Sequence, residues 1–380
     1  MKSFQLSFKN DHWSGPFPES FDSADTLLFL YFSPSLHSHQ VWKDLKKTFP
    51  LSHFMGCSGA GEIKQTEICD DQIILTGIKF EKTKMKVSYV AEIKNKNSEQ
   101  VGVEIAQQFS KEGLAGVYLL SDGLAVNGTA LIKGLKNILG PDINLSGGLA
   151  GDGANFKNTY VLLDGIPTEN VAAAVGFYGN DIMISSSADG GWIPFGPVRS
   201  ITKSVSNVLY ELDGKPALEL YKQFLGEQAK KLPSSALLFP IFLKSGTDKM
   251  QRNAVRTILS VDEANQSMTF AGDVPEGTSI QLMRAGHENL FDAAENVSQI
   301  NAAQLDQSLH TLCLLVSCVG RRLVLGENTE GEVEKVLEHL PKGTVQTGFY
   351  SYGEIASGQA GFCDLHNQTI AMTLIQEKTK

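Results

Sequence analysis

The sequence predicts an α/β protein with mixed β-sheets, organised as two related domains, each a sheet covered by helices, packed around a shared cleft. Three observations carry this expectation. Short apolar runs alternate with stretches of helical period, a glycine-rich octapeptide occurs once in each half, and 380 residues exceed what one hydrophobic core normally fills.

The run TLLFLYF at 26–32 reads as a buried strand, and Val41, Leu45 and Phe49 then fall at helical spacing within 38–49, which Pro50 stops. HFMGCSGAGEI runs from an apolar piece into a glycine-dense turn, and QIILTGIKF and KMKVSYVAEI are β-branched segments that read as neighbouring strands. A second strand-helix-strand unit comprises 116–120, the loop SDGLAVNG, and a helix bearing Leu131, Leu135 and Ile138 that ends at Gly140-Pro141. Crossovers of this length allow parallel pairing. The segments YVLLDG, NVAAAVGFYG and DIMISSSADGG are separated by short Gly, Asn and Asp turns, the pattern of antiparallel strands, so the sheet is expected to be mixed.

GWIPFGPVRSITKS carries two prolines and little helical period, and VLYELDGKPALELYKQFLG then gives a strand, an Asp-Gly turn and a helix. The expected domains are 24–206 and 207–380. In the second, strands and turns alternate from TILSV to IQLM, a helix follows from Glu288, TLCLLVSC is a buried strand, and the stretch from VQTGFYSYGEIA to HNQTIAMTLI ends in another.

Charge narrows the partners. With 42 acidic against 33 basic residues the net charge is -9, which repels phosphate backbones and anionic membrane surfaces, so neither nucleic acid nor membrane is an expected partner. Asn10, Asp11 and His12 interrupt the amino terminus before a signal-peptide core forms, and the longest compact apolar stretch, 27–32, falls far short of the roughly 20 residues of a spanning helix. Five scattered cysteines suit reduced thiols, so the expected location is cytoplasmic.

The recurring octapeptides are Gly56-Cys57-Ser58-Gly59-Ala60-Gly61-Glu62-Ile63 and Gly348-Phe349-Tyr350-Ser351-Tyr352-Gly353-Glu354-Ile355, both G-x-x-x-x-G-E-I. Glycines let the backbone turn tightly and bring N–H groups to a ligand, and the glutamate adds an acceptor, so a cleft between the halves could receive a small polar ligand. The competing reading is a sharp strand-to-strand turn whose glutamate caps amides or pairs with an arginine.

Other chemistry is thin. Ala60 breaks a G-x-S-x-G elbow around Ser58, and His53 beside Cys57 fixes no geometry for a thiolate. Cys313 and Cys318, on one probable strand, point to opposite faces, so no metal site is expected. GGLAGDG matches no dinucleotide or P-loop order; Asp152 in it either contacts a ligand amine or caps its turn. Arg321 could clamp a carboxylate or pair with Glu354 or Glu62. Tyr350, Ser351 and Asn367 would complete a polar lining. The candidate ligand-binding set is thus Cys57, Ser58, Glu62, Asp152, Arg321, Tyr350, Ser351, Glu354 and Asn367, with no catalytic residue.

In GCSGAGEI, SDGL, GGLAGDG with TYVLLDG, AAAVGFYG, PFGPVRSITKS with LDGKPALELY, DVPEGTSIQLM, SCVGRR, GFYSYGEIA and HNQTIAM, the sequence resembles the FIST family over nearly its whole length. The resemblance implies a sensor rather than an enzyme. Its ligand would be an amino acid or related metabolite, and its output a histidine kinase, a cyclic-dinucleotide enzyme or a chemotaxis receptor. The two domains leave no room for a fused output, so a separate partner is expected. Some stand-alone members look like haem-dependent nitric oxide sensors that regulate a histidine kinase. Haem needs an axial histidine in an apolar pocket; among His37, His39, His287 and His366 no spacing selects one, and no C-x-x-C-H motif is present.

Overall fold

The seven residues Thr26–Phe32 are all buried, as a strand covered on both faces must be. This strand pairs in parallel with His53–Ser58 through the helix Val41–Thr48, and antiparallel with Ile73–Lys79 on its other side. The protein's structure, a computed structural model describing residues 1–244, 254–357 and 363–378, is an α/β fold of two domains with mixed sheets.

The same unit recurs twice. Leu114–Ser121 pairs in parallel with Asn144–Leu149 through the helix Gly128–Leu139, and antiparallel with Val171–Tyr178. Thr311–Cys318 pairs in parallel with Val345–Ser351 through the helices Val319–Leu325 and Thr329–Leu337, and antiparallel with Ile370–Glu377. Each unit gains an outer antiparallel strand: Lys2–Lys9, Lys84–Ala91 and Ile182–Asp189 respectively.

Each unit also exports a hairpin to another unit's sheet. The first sends Glu62–Lys64 to pair with Val345–Ser351 of the third. The second sends Val161–Leu163 to His53–Ser58 of the first, and the third sends Gly353–Ser357 to Asn144–Leu149 of the second. The exchange closes a ring, so strands from both sides of the expected boundary at 206/207 share sheets. The two G-x-x-x-x-G-E-I segments are thus two of three equivalent crossings, and the second unit's is SGGLAGDG, which lacks the Glu-Ile.

One glycine in each crossing is dictated by space. A β-carbon on Gly56, Gly147 or Gly348 would lie 2.0, 1.8 or 1.7 Å from the carbonyl oxygen of its parallel partner Leu30, Leu119 or Leu315. All three crossings thus meet one steric demand. Where the sheets face one another, all three units contribute to one core, with Tyr31, Cys57, Tyr118, Leu120, Val316 and Phe349 among its members.

The segment between Ile182–Asp189 and the helix His287–Ala302 is a separate antiparallel module. It comprises, among the described residues, an eight-stranded sheet and the helix Ala217–Leu225, around a core of its own that includes Ile201, Leu209, Leu218, Met268 and Ile280.

The elements expected at 26–32, 38–49 and after Glu288 are present, the helices as Val41–Thr48 and His287–Ala302. The helix Ser98–Ala106 was not expected from the apolar pattern; Asn97 caps it, accepting from the amides of Glu99 and Gln100. The helices at Val319–Leu325 and Thr329–Leu337 and the strand Lys2–Lys9 are further additions. Residues 358–362 of the last predicted stretch lie outside the described residues.

Candidate functional site

Past its spatially constrained glycine, each parallel strand leaves its sheet, and the three crossings meet. There the Ala60 amide donates to the Tyr350 carbonyl (2.8 Å), the Gly151 amide to Ser58 (3.0 Å) and the Tyr352 amide to Leu149 (3.1 Å). Donors stand four residues, and acceptors two, beyond Gly56, Gly147 and Gly348, so the three bonds form a triangle about a pseudo-threefold axis.

A cleft of about 290 Å³ opens beside this triangle, lined by Ser33, Ser35, Gly59, Ala60, Gly61, Asp70, Asp71, Asp152, Gly153, Asn155 and Arg322. A second, of about 300 Å³, shares Ala60, Gly153 and Arg322 and adds Ala154, Val319 and Leu323. Residues from both sides of the expected boundary at 206/207 therefore contribute to the walls.

Arg322 dominates the cleft chemically. From the short helix Val319–Leu325 it forms a two-pronged ion pair with Asp70 (2.9 and 2.6 Å), donates to the Ala60 carbonyl, and lies 5.7 Å from the centre of the Tyr350 ring. Burial works to lower its pKa, but the bond and charge of Asp70 outweigh this and raise it.

Behind the first bend, Glu62 is wholly buried. Its Oε2 accepts from Ser33 Oγ (2.9 Å), while Oε1 has no partner among the described residues. A β-carbon on Gly59 would stand 3.3 Å from that oxygen, which places it directly behind the bare glycine of the cleft wall. Burial pushes the Glu62 carboxyl well above the usual carboxylate range, against the Ser33 bond. Asp152, on the same wall, accepts from the amides of Phe156 (2.9 Å), Lys157 (2.8 Å) and Asn158 (3.0 Å) and from the Tyr352 hydroxyl, so it caps its turn while bordering the cleft.

The other candidates separate into layers. Ser58 ties two units together, donating to the Gly151 carbonyl (2.8 Å) and accepting from the Tyr160 amide (3.0 Å). Cys57 points into the central core, where burial raises its thiol pKa far from the reactive range. Tyr350 lies beneath Arg322 and donates to Glu332 (2.9 Å). Arg321 is fully buried and pairs with Glu332, not with Glu354 or Glu62; its remaining bonds go to the Gly190 and Leu290 carbonyls. Ser351, Glu354 and Asn367 form a second buried cluster with Thr369. There Glu354 accepts from Ser351, from Thr369 Oγ1 (2.9 Å) and from the Thr369 amide (3.2 Å). Burial raises the Glu354 pKa to about 8 despite these bonds. Asn367 donates to the Tyr352 carbonyl (3.3 Å), and its Oδ1 has no partner among the described residues.

The cleft thus unites Asp152, with Glu62 behind its wall, with two residues outside the sequence-based candidate set. Arg322 is the second arginine of SCVGRR, one helical step from the residue chosen, and Asp70 follows an exported hairpin whose destination no local pattern reveals.

The four histidines weighed as axial candidates are engaged elsewhere. His37 stacks on Tyr160, His39 bonds Asp11, His287 bonds the Val324 carbonyl and the half-buried His366 bonds the Ala356 carbonyl. None of these four lines either cleft. Among the described residues, no helix is long and apolar enough to cross a membrane.

Comparison with known proteins matches the FIST N domain to residues 26–215 and the FIST C domain to 217–357. An uncharacterized protein of Methanocaldococcus jannaschii is 22% identical over 323 residues, which cover 79% of this chain and 61% of that protein. The chain therefore aligns with about three fifths of that relative's length. FIST domains are small-ligand sensory domains of signal transduction rather than catalytic ones. Matched by both domain models in order, this chain is a member of the FIST family.

Proposed function

We propose that this protein is a cytoplasmic, non-enzymatic sensor whose small ligand, an amino acid or related metabolite, occupies the axial cleft. Its output is a separate partner such as a histidine kinase or cyclic-dinucleotide enzyme. The observation that carries this reading is the cation of Arg322 facing the carboxylates of Asp70, Asp71 and Asp152 across one cleft. A zwitterion matches such a wall: its carboxylate competes with Asp70 for the guanidinium, and its ammonium is drawn to the remaining acids.

Glu62 backs the cleft through Gly59, and Tyr350 supports Arg322 from below. Cys57 and Ser58 hold the first bend in place, while Ser351, Glu354, Asn367 and Arg321 fix the crossing of the third unit. The haem alternative lacks an axial histidine at either cleft. The signal then comes from ligand competition for Arg322, which releases the Asp70 hairpin toward the partner.

A thermal-shift screen of the free amino acids tests this. At least one should raise the midpoint of the wild type and not of Arg322→Met. Equal shifts in both proteins would remove the cleft from the reading.

A further inference from the structure

A larger cleft, about 530 Å³, lies at the seam between the helix Gly128–Leu139 and the strands Ile241–Lys244 and Ala254–Arg256 of the antiparallel module. Its size falls in the range of small-molecule sites. Four cations line it from opposite sides: Lys133 and Lys136 from the helix, Lys244 and Arg256 from the module. In a chain of net charge -9 this convergence runs against the overall balance. Two acids, Asp273 and Asp364, also line it, so the cations outnumber them four to two. Asp273 accepts from Asn127 Nδ2 (2.6 Å), and Asp364 from the Leu365 amide (2.8 Å).

Arg256 is only 5% exposed. Its Nε and Nη1 donate to the carbonyls of Asp273 (3.1 Å), Val255 (3.2 Å) and Leu365 (3.3 Å). Among the described residues Nη2 has no hydrogen bond and the guanidinium no direct ion pair; the carboxylates of Asp364 and Asp273 act on it only from a distance. Burial of a charge is costly, and an anion in direct contact would offset more of that cost than these distant carboxylates do. Lys136 spends one donor on the Cys363 carbonyl (2.8 Å) and keeps two, while Lys133 is held by Glu99.

We propose that this seam is a second ligand site, for a small phosphorylated molecule held by Lys136, Lys244 and Arg256, with its carbon skeleton against Ile132 and Leu243. Lysines act as point charges suited to phosphate, whereas fork recognition of a carboxylate needs two free guanidinium nitrogens, and Arg256 offers one. An occupant would bridge the helix and the module and fasten them together.

Calorimetric titration of the full chain at fixed ionic strength, with glycerol 3-phosphate, inorganic phosphate, succinate and glycerol as probes, tests the assignment. Saturable binding of glycerol 3-phosphate is expected, tighter than that of phosphate, with none for glycerol or succinate. Lys136→Gln/Lys244→Gln should weaken it about tenfold, the scale for losing charge-assisted contacts, without altering the melting curve of the ligand-free protein. Arg322→Met should leave it unchanged. Absence of saturable phosphate binding, equal binding of succinate, or full binding by the double variant would overturn the proposal.

Discussion

Arg322 rests against the bare Cα of Gly61: a β-carbon there would stand 2.4 Å from Nη1 and 2.8 Å from Cζ. Gly61 also has φ +122°, a conformation that L side chains rarely adopt. The glycine therefore sets where the guanidinium lies and how it meets Asp70.

Gly61→Ala should displace Arg322 from Asp70 and cost about 1–3 kcal/mol through backbone strain. Urea unfolding measures the stability loss, and titration of the ligand identified in the thermal-shift screen measures the loss of affinity. Gly343→Ala is the control, since it shares a positive φ but meets nothing within 4 Å, so it should carry only the strain.

Alanine at Gly56, Gly147 or Gly348 should destabilise by about 3 kcal/mol or more, because each β-carbon collides with a backbone carbonyl that has no room to yield. Comparable losses at all three, read from denaturant midpoints, are what the equivalence of the units requires.

Glu354 and Glu62 give the protein a pH dependence of definite sign. Burial raises the folded pKa of Glu354 from the ordinary 4.5 to about 8, and that of Glu62 also upward. The unfolded chain then releases protons first as pH rises. Their contribution is fully present below about pH 4.5 and is lost progressively as pH climbs toward 8. Glu354→Gln should flatten this fall in urea unfolding between pH 5 and 8.5, whereas an unchanged slope would contradict it.

Glu332 is the counter-charge of buried Arg321 and also accepts from Ser317 and Tyr350. Glu332→Ala strands the arginine and should cost about 3–5 kcal/mol. Adding Arg321→Met should recover part of this in a double-mutant cycle.

Much of the scaffold was legible. TLLFLYF and TLCLLVSC declared central strands because strands covered on both faces are apolar throughout, and Leu131, Leu135 and Ile138 declared a helix by period. The paired octapeptides marked two crossings. The third escaped because its crossing, SGGLAGDG, keeps the steric glycine but carries Asp152-Gly153-Ala154 where the others have Gly-Glu-Ile, and packing demands only the first glycine. Arg322 and Arg321 are adjacent in sequence, and only the helix orientation decides which reaches Asp70 and which is buried on Glu332. Asp70 arrives through a hairpin pairing with a strand nearly 300 positions away, a relationship that local pattern does not encode.

The most direct test of the account is the affinity of the ligand from the thermal-shift screen for Arg322→Met, measured by calorimetry beside wild type and Lys136→Gln/Lys244→Gln. Loss of a charge-assisted contact predicts about a tenfold or greater weakening in Arg322→Met and none in the lysine variant. Wild-type affinity in Arg322→Met would contradict the axial cleft as the sensing site.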